Sequence, residues 1–135
     1  MSYHSASAVQ VALYELLTGD VTLGALLPGG IFDAPPPGTP QGTYGVIGEE
    51  EAIDRSDVTG PGAEHRVLVQ VVSDASGFAT AKAAAARIAD LLPGALPALT
   101  VGRVVAIWFH TAQARRAEGN SRRRIDLRFR VRVEI

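Results

Sequence analysis

The sequence predicts an α+β domain: a mostly antiparallel β-sheet, a long C-terminal β-hairpin, and helices packed on one face. Three observations carry this. The closing stretch "RIDLRFRVRVEI" alternates apolar and charged residues without a slip, the period of a strand with one buried face. The stretch "FATAKAAAARIADLL" repeats its apolar residues at helical spacing instead. The element order, two helices, then strands, one helix and a hairpin, suits α+β and not an alternating βαβ chain.

The elements follow in order. Val9, Leu13, Leu16 and Leu17 recur at helical spacing, with Ser5 or Ser7 placed to cap the helix start and Gly19 placed to take a left-handed C-cap. Asp20 opens a second, short helix whose apolar face is Leu23, Leu26 and Leu27, ended by "PGG". Residues 31–33 suit a brief strand. Pro35, Pro36, Pro37 and Pro40 lack ladder donors, so that stretch reads as an extended loop. "YGVIGEEEAIDRSDV" reads as one or two strands entering a charged loop, with "GPG" as a turn. In "EHRVLVQVVS", His65, Val67, Val69 and Val71 share one strand face, and Glu64, Arg66, Leu68 and Gln70 the other. Asp74 or Ser76 is placed to cap the central amphipathic helix, whose stripe is Phe78, Ala81, Ala85, Ile88, Ala89 and Leu92. Its alanines predict a close approach to the sheet. "LTVGRVVAIWFHT" and the closing stretch are strands, joined as a hairpin with Gly119-Asn120 as the turn signal.

The chain has 135 residues, which suits one domain over residues 1–135 and a core hiding roughly two-thirds of the unfolded surface. There is no cysteine, which excludes disulfides and thiolate chemistry. The start "MSYHSASAVQ" has no signal-peptide pattern and no run is long enough to span a bilayer, so a soluble, unexported protein without membrane contact is expected. The net charge of −1 hides an asymmetry: residues 1–67 hold two arginines against nine acids, and residues 68–135 hold eleven basic residues against five acids. Such a chain can neutralise itself within one fold or between copies.

An enzymatic reading finds little support. His4, His65 and His110 show no metal-ligand spacing, and His65 and His110 read as half-buried strand residues. Glu49, Glu50 and Glu51, with Asp54 and Asp57, do not have calcium-loop spacing, and in a strand Glu50 faces away from its neighbours. No nucleophile motif or phosphate-cradling loop occurs, and no cofactor is expected.

The last strand places Ile125, Leu127, Phe129, Val131, Val133 and Ile135 on one face, and Arg124, Asp126, Arg128, Arg130, Arg132 and Glu134 on the other. A phosphate grip is one use of that charged face, which keeps a small nucleic-acid-binding module as an alternative. Base-stacking aromatics are missing from it, however, and Asp126 and Glu134 interrupt it. Pairing with Glu49, Glu50, Glu51 and Asp54, in the same sheet or across a subunit boundary, is the stronger reading for Arg128, Arg130 and Arg132. Arg115, Arg116, Arg122 and Arg123 cluster around the hairpin turn and form a second candidate contact.

Four stretches, "LLTGDVTLGALLPGGIFDAPPP", "GEEEAIDRSD", "EHRVLVQVVSDASGFATAKAAAARI" and the closing "RRRIDLRFRV", appear in an order that resembles the tail completion or tail terminator proteins of long, flexible-tailed phages. The resemblance is strongest to the version in alphaproteobacterial gene transfer agents. It implies an α+β fold without catalytic residues. It also implies a hexameric ring at the head-proximal end of the tail tube, which stops tube growth, meets the head-completion proteins of the neck and lets DNA pass through its lumen. The loop after Gly38 and the hairpin tip, residues 112–124, depart from the family pattern. Under this resemblance the acidic and basic residues above become candidates for the subunit interface, and the hairpin arginines candidates for contact with the tail tube or neck.

Overall fold

The computed structural model describes residues 3–34, 36, 38, 40–58, 60–117, 119 and 121–135. The chain runs α1 (Ser5–Thr18), α2 (Val21–Leu26), β1 (Ile31–Phe32), β2 (Tyr44–Asp54), β3 (Gly62–Ser73), α3 (Ala79–Leu91), β4 (Arg103–Ala117) and β5 (Arg122–Glu134). The strands form one sheet in the order β1-β2-β3-β5-β4. All neighbours are antiparallel except the short β1–β2 pair. The α+β expectation holds, with strands dominating.

The core lies between the helices and one sheet face. Val9, Leu13 and Leu17 of α1, Leu23 of α2 and Ala81, Ala84, Ala85 and Ile88 of α3 cover Val67, Val69 and Val71 of β3 and the odd-numbered residues Ile125 to Val133 of β5. Phe129 is the largest wholly enclosed side chain. Ala81 and Ala84 are fully buried, so the small side chains do seat α3 close to the sheet. A second, smaller cluster, Phe32, Tyr44, Val46 and Val72, packs around the β1–β2–β3 corner, with Phe32 edge-on to Tyr44.

Asp20 behaves as its position predicts. Its carboxylate accepts from the Leu23 N–H at 2.9 Å and starts α2. It also accepts from Arg87 of α3 at 2.8 and 2.6 Å, so one side chain caps a helix and ties it to another.

Other capping expectations are corrected by the contacts these residues make instead. Neither Ser5 nor Ser7 caps α1: His4 occupies that position without a side-chain capping bond, and Ser5 is already helical and buried. Gly19 is not left-handed (φ −79°); a Cβ there would stand 2.9 Å from the Glu15 carbonyl, so close approach accounts for the glycine. Neither Asp74 nor Ser76 caps α3, which starts after Phe78; Asp74 accepts from the Gly42 N–H instead. In the α3 stripe Ala84 is buried where Ala89 was expected.

β4 begins after Gly102, whose φ is +79° and where a Cβ would meet the Glu134 carbonyl at 2.7 Å. At the hairpin tip Gly119 has φ +63°. Asn120 of the expected turn signal, and Pro35 and Pro37 of the expected loop, lie outside the described residues.

Hydrogen bonds from Arg87, then that from Leu23, hold the Asp20 carboxyl down from 3.8 to about 2. A depressed folded-state pKa means stability that is present above the ordinary carboxylate pKa and is lost as pH falls through the folded value. Asp20→Asn keeps a capping side chain and removes the charge. Melting temperatures of the natural protein should therefore fall more steeply between pH 4 and 2 than those of the variant; parallel curves would refute the role given to this ion pair.

Candidate functional site

The charged face of β5 is built by register. Flanked by β3 and β4, the strand buries Ile125, Leu127, Phe129, Val131 and Val133 and turns its even-numbered residues to the face without helices. There Asp126 lies between Gln70 and Gln113, Arg128 between Leu68 and Thr111, Arg130 between Arg66 and Trp108, and Arg132 between Glu64 and Ala106.

These side chains are not equivalent. Asp126 is only 2% exposed; it accepts from Gln70 at 3.1 Å and from Arg115 at 3.0 Å, and Arg124 lies 3.2 Å away. Arg132 donates to the Arg55 carbonyl at 2.7 Å. The Arg130 guanidinium sits 5.7 Å from the Trp108 ring, and its buried Nε has no hydrogen-bond partner. Arg128 is exposed. Glu134 pairs with Arg103, and Glu64 with Arg66 at 3.0 Å. The arginines are interleaved with carboxylates, so the face offers no uninterrupted track for phosphates.

The acidic candidates stand on β2, two strands away from β5, a separation of about 10 Å. One extra β2 residue between Ile47 and Glu50 makes a bulge opposite Leu68. Glu51 faces Arg66 at 3.7 Å on the helix-free side. Glu50 turns to the helix side, where it meets His65 at 3.4 Å and the Tyr3 hydroxyl at 3.2 Å. Asp54 accepts from the Ser56 hydroxyl and N–H, which hold its carboxyl below the usual range. Among the described residues no ion pair joins Glu49, Glu50, Glu51 or Asp54 to Arg128, Arg130 or Arg132 of the same chain. Glu49, Glu50, Glu51 and Arg128 do come together around a cleft of about 400 Å³, with Arg66 and His110.

The hairpin arginines divide between the two faces. Arg115 belongs to Asp126 on the helix-free side. Arg123 turns to the helix side, lies 5.6 Å from the Phe78 ring and donates to the Ser76 carbonyl at 2.7 Å. Arg116 pairs in register with Arg123 and is exposed; Arg122 is half-buried at the hairpin mouth.

Three features escaped the sequence reading. Asp126 is interior, not solvated. The outer part of β4, residues 108–116, is wholly exposed along a sheet edge, and an apolar groove of about 270 Å³ runs beside it under α3. Finally, His65 is not half-buried but enclosed in mid-strand, with its Nε2 2.9 Å from Ser5 Oγ and its Nδ1 facing Glu50. This serine–histidine–acid order has the outline of a nucleophile and base. Ser5 and His65 are both 0% exposed, so no substrate can reach the hydroxyl, and the trio fastens α1 to β3 and β2. Among the described residues no cluster of His, Asp and Glu could hold a metal ion, and no helix is long and apolar enough to cross a membrane.

Removing the Asp126 carboxylate leaves Arg115 and Arg124 facing each other across the ladder without their shared anion. Asp126→Ala should cost about 1–3 kcal/mol in urea denaturation, the range for stranding charged hydrogen-bond partners. A loss under half a kcal/mol would show that solvent replaces the carboxylate freely.

The geometry is that of a scaffold with a charged face and an open edge, and the comparisons agree with it. No curated protein matches the chain. A chain in the solved structure described as the virion of a native gene transfer agent (GTA) particle is 51% identical, with a TM-score of 0.92, covering 99% of this chain and 100% of that one. The family model described as tail completion protein gp17 matches residues 11–134. A match over nearly the whole length shows the family, and this chain belongs to the gp17 tail completion proteins.

Proposed function

We propose that this protein is a virion tail terminator, with the whole chain acting as one domain. Copies close head to tail into a hexameric ring at the head-proximal end of the tail tube. The ring stops tube polymerisation and joins the tail to the head-completion proteins of the neck. DNA transits its lumen without sequence-specific contacts. The role is structural and non-enzymatic, in keeping with family membership and with the likeness to a chain of a gene transfer agent particle.

The observation that carries the ring is charge segregated across one sheet. Acids cluster at the β2 side, arginines at the β5–β4 side, and among the described residues no ion pair joins Glu49, Glu50 or Glu51 to Arg128, Arg130 or Arg132. A head-to-tail interface joins two different surfaces, and rotation closes it. Glu49, Glu50, Glu51 and Asp54 on one copy and Arg128, Arg130 and Arg132 on the next are the interface residues of this reading. Arg115, Arg116, Arg122 and Arg123 at the projecting hairpin are placed toward the tail tube or neck.

Arg128 and Arg130 have no ion pair among the described residues, so reversing both to Glu breaks none and gives up only the stacking of Arg130 on Trp108. The double variant should melt within a few degrees of the natural protein. Several cross-interface charge pairs at about 0.2–1 kcal/mol each make a loss of roughly tenfold in tailed-particle yield the expected result by electron microscopy. Normal tails would contradict the interface assignment. Normal tails together with lost salt-dependent DNA binding would favour the nucleic-acid-binding alternative.

A further inference from the structure

We infer that the ring is sealed by continuation of the sheet: the open edge of β4 pairs antiparallel with the open edge of β2 of the neighbouring copy. The inference rests on the ring reading above and revises its contact: Arg115 and Arg116 on the β4 edge, and not the β5 arginines, stand directly against the acids of the next copy.

Both edges are exposed. β1 covers β2 at Gly45 and Val46, and among the described residues no strand pairs with the outer side of residues 50–54. β4 is the other edge strand; the Gly94 N–H reaches the Ile107 carbonyl at 3.1 Å, and residues 108–116 beyond it are exposed. The segment between Trp108 and Ala114 contains neither proline nor Lys, Arg, Asp or Glu, the usual guards of an exposed edge. A partner strand explains their absence.

Direction and phase agree with the same occupant. Three antiparallel steps separate β2 from β4, so the two strands run in opposite directions. Rotation about a ring axis inclined to the strands by roughly 40°, the tilt of closed barrels, supplies a stagger of about six residues between copies and nearly preserves direction. It therefore brings β2 of one copy antiparallel to β4 of the next, with helix-covered faces on the same side. The Arg55 N–H bonds to Gly62, so the groups of residues 51 and 53 also point to β3 and those of 50, 52 and 54 point outward. The Ile135 N–H bonds to Pro61, which sends the odd-numbered groups of β5 to β3 and the even-numbered ones to β4. Their partners Thr111, Gln113 and Arg115 thus point inward, leaving Ala112, Ala114 and Arg116 pointing outward.

Charge then selects the register. Setting Glu50 against Arg116 places Ala52 against Ala114, Asp54 against Ala112, and Glu51 against Arg115 on the opposite face. A shift by two residues toward the hairpin tip loses both opposite-charge pairs, and the opposite shift keeps only one, Glu49 with Arg115. The alanines at the junction offer no bulk against close approach.

The chain has no cysteine, so a pair can be introduced cleanly. Ala52→Cys with Ala114→Cys would face each other as a hydrogen-bonded pair, at a Cα separation of about 5.5 Å that a disulfide accepts. Within one chain they stand three strand spacings apart across the sheet and about six residues apart along it, roughly 25 Å in all, so a bridge forms only between copies. Assembled particles carrying the double variant should give, after oxidation, a non-reducing ladder of multimers ending at the closed ring. Each single variant should give none beyond a dimer. A ring seen by electron microscopy without the ladder overturns the edge pairing and leaves the ring reading standing; no ring in natural particles overturns both. Should the double variant fail to assemble, Ala114→Pro decides. Its lost N–H points away from β5, so the melting temperature should stay within a few degrees while rings disappear. Ala114→Pro particles with normal rings would overturn the pairing.

Discussion

The unbroken two-residue period of β5 is the constraint on which the rest depends. A strand in the middle of a sheet must satisfy a neighbour on each side, and the pleat gives it only two faces. Six apolar residues at one parity force the helices to one side, with Phe129 as the largest enclosed side chain. The same alternation forces Arg124, Arg128, Arg130 and Arg132 onto the other side. A one-residue slip would drive arginines into the core, which fixes register more strongly than any hydrogen bond could. The arginine face is therefore a consequence of the buried face, and the acids on β2 inherit their distance from it through β3.

Polar groups then fasten the layers. Asp20 joins α2 to α3, Ser5 and His65 join α1 to β3, and Asp126 holds the wide end of the hairpin to β3 through Gln70. Each is a local contact between elements far apart in sequence. Among the described residues the projecting part of β4 has no such fastening on its outer side.

Much of this could be read from residue patterns. Alternation identified β5 and the two faces of β3, alanine spacing identified α3, and the aspartate before a short apolar run identified the α2 cap. The failures share a cause. Ser5 and Asp74 carry local signals for caps, yet each answers to a group brought near by folding, His65 and the Gly42 N–H, while Gly19 answers to the Glu15 carbonyl of its own helix. His65 looked half-buried because its flanking residues are charged, while its own parity places it on the core side. The acid–arginine contact expected within or between sheets depended on strand order, which periodicity does not encode. Once β3 stands between β2 and β5, the acids of β2 find nearer partners such as Arg66, His65 and Ser56.

The central claim is that this tail completion protein closes a ring through complementary sheet edges. A cryo-electron microscopy map of the tail–neck junction of its own particles tests that most directly. The account predicts a closed ring in which β4 of each copy lies beside β2 of the next, with Arg116 near Glu50. A ring whose β4 edges face solvent, or are covered by a different protein, would contradict it.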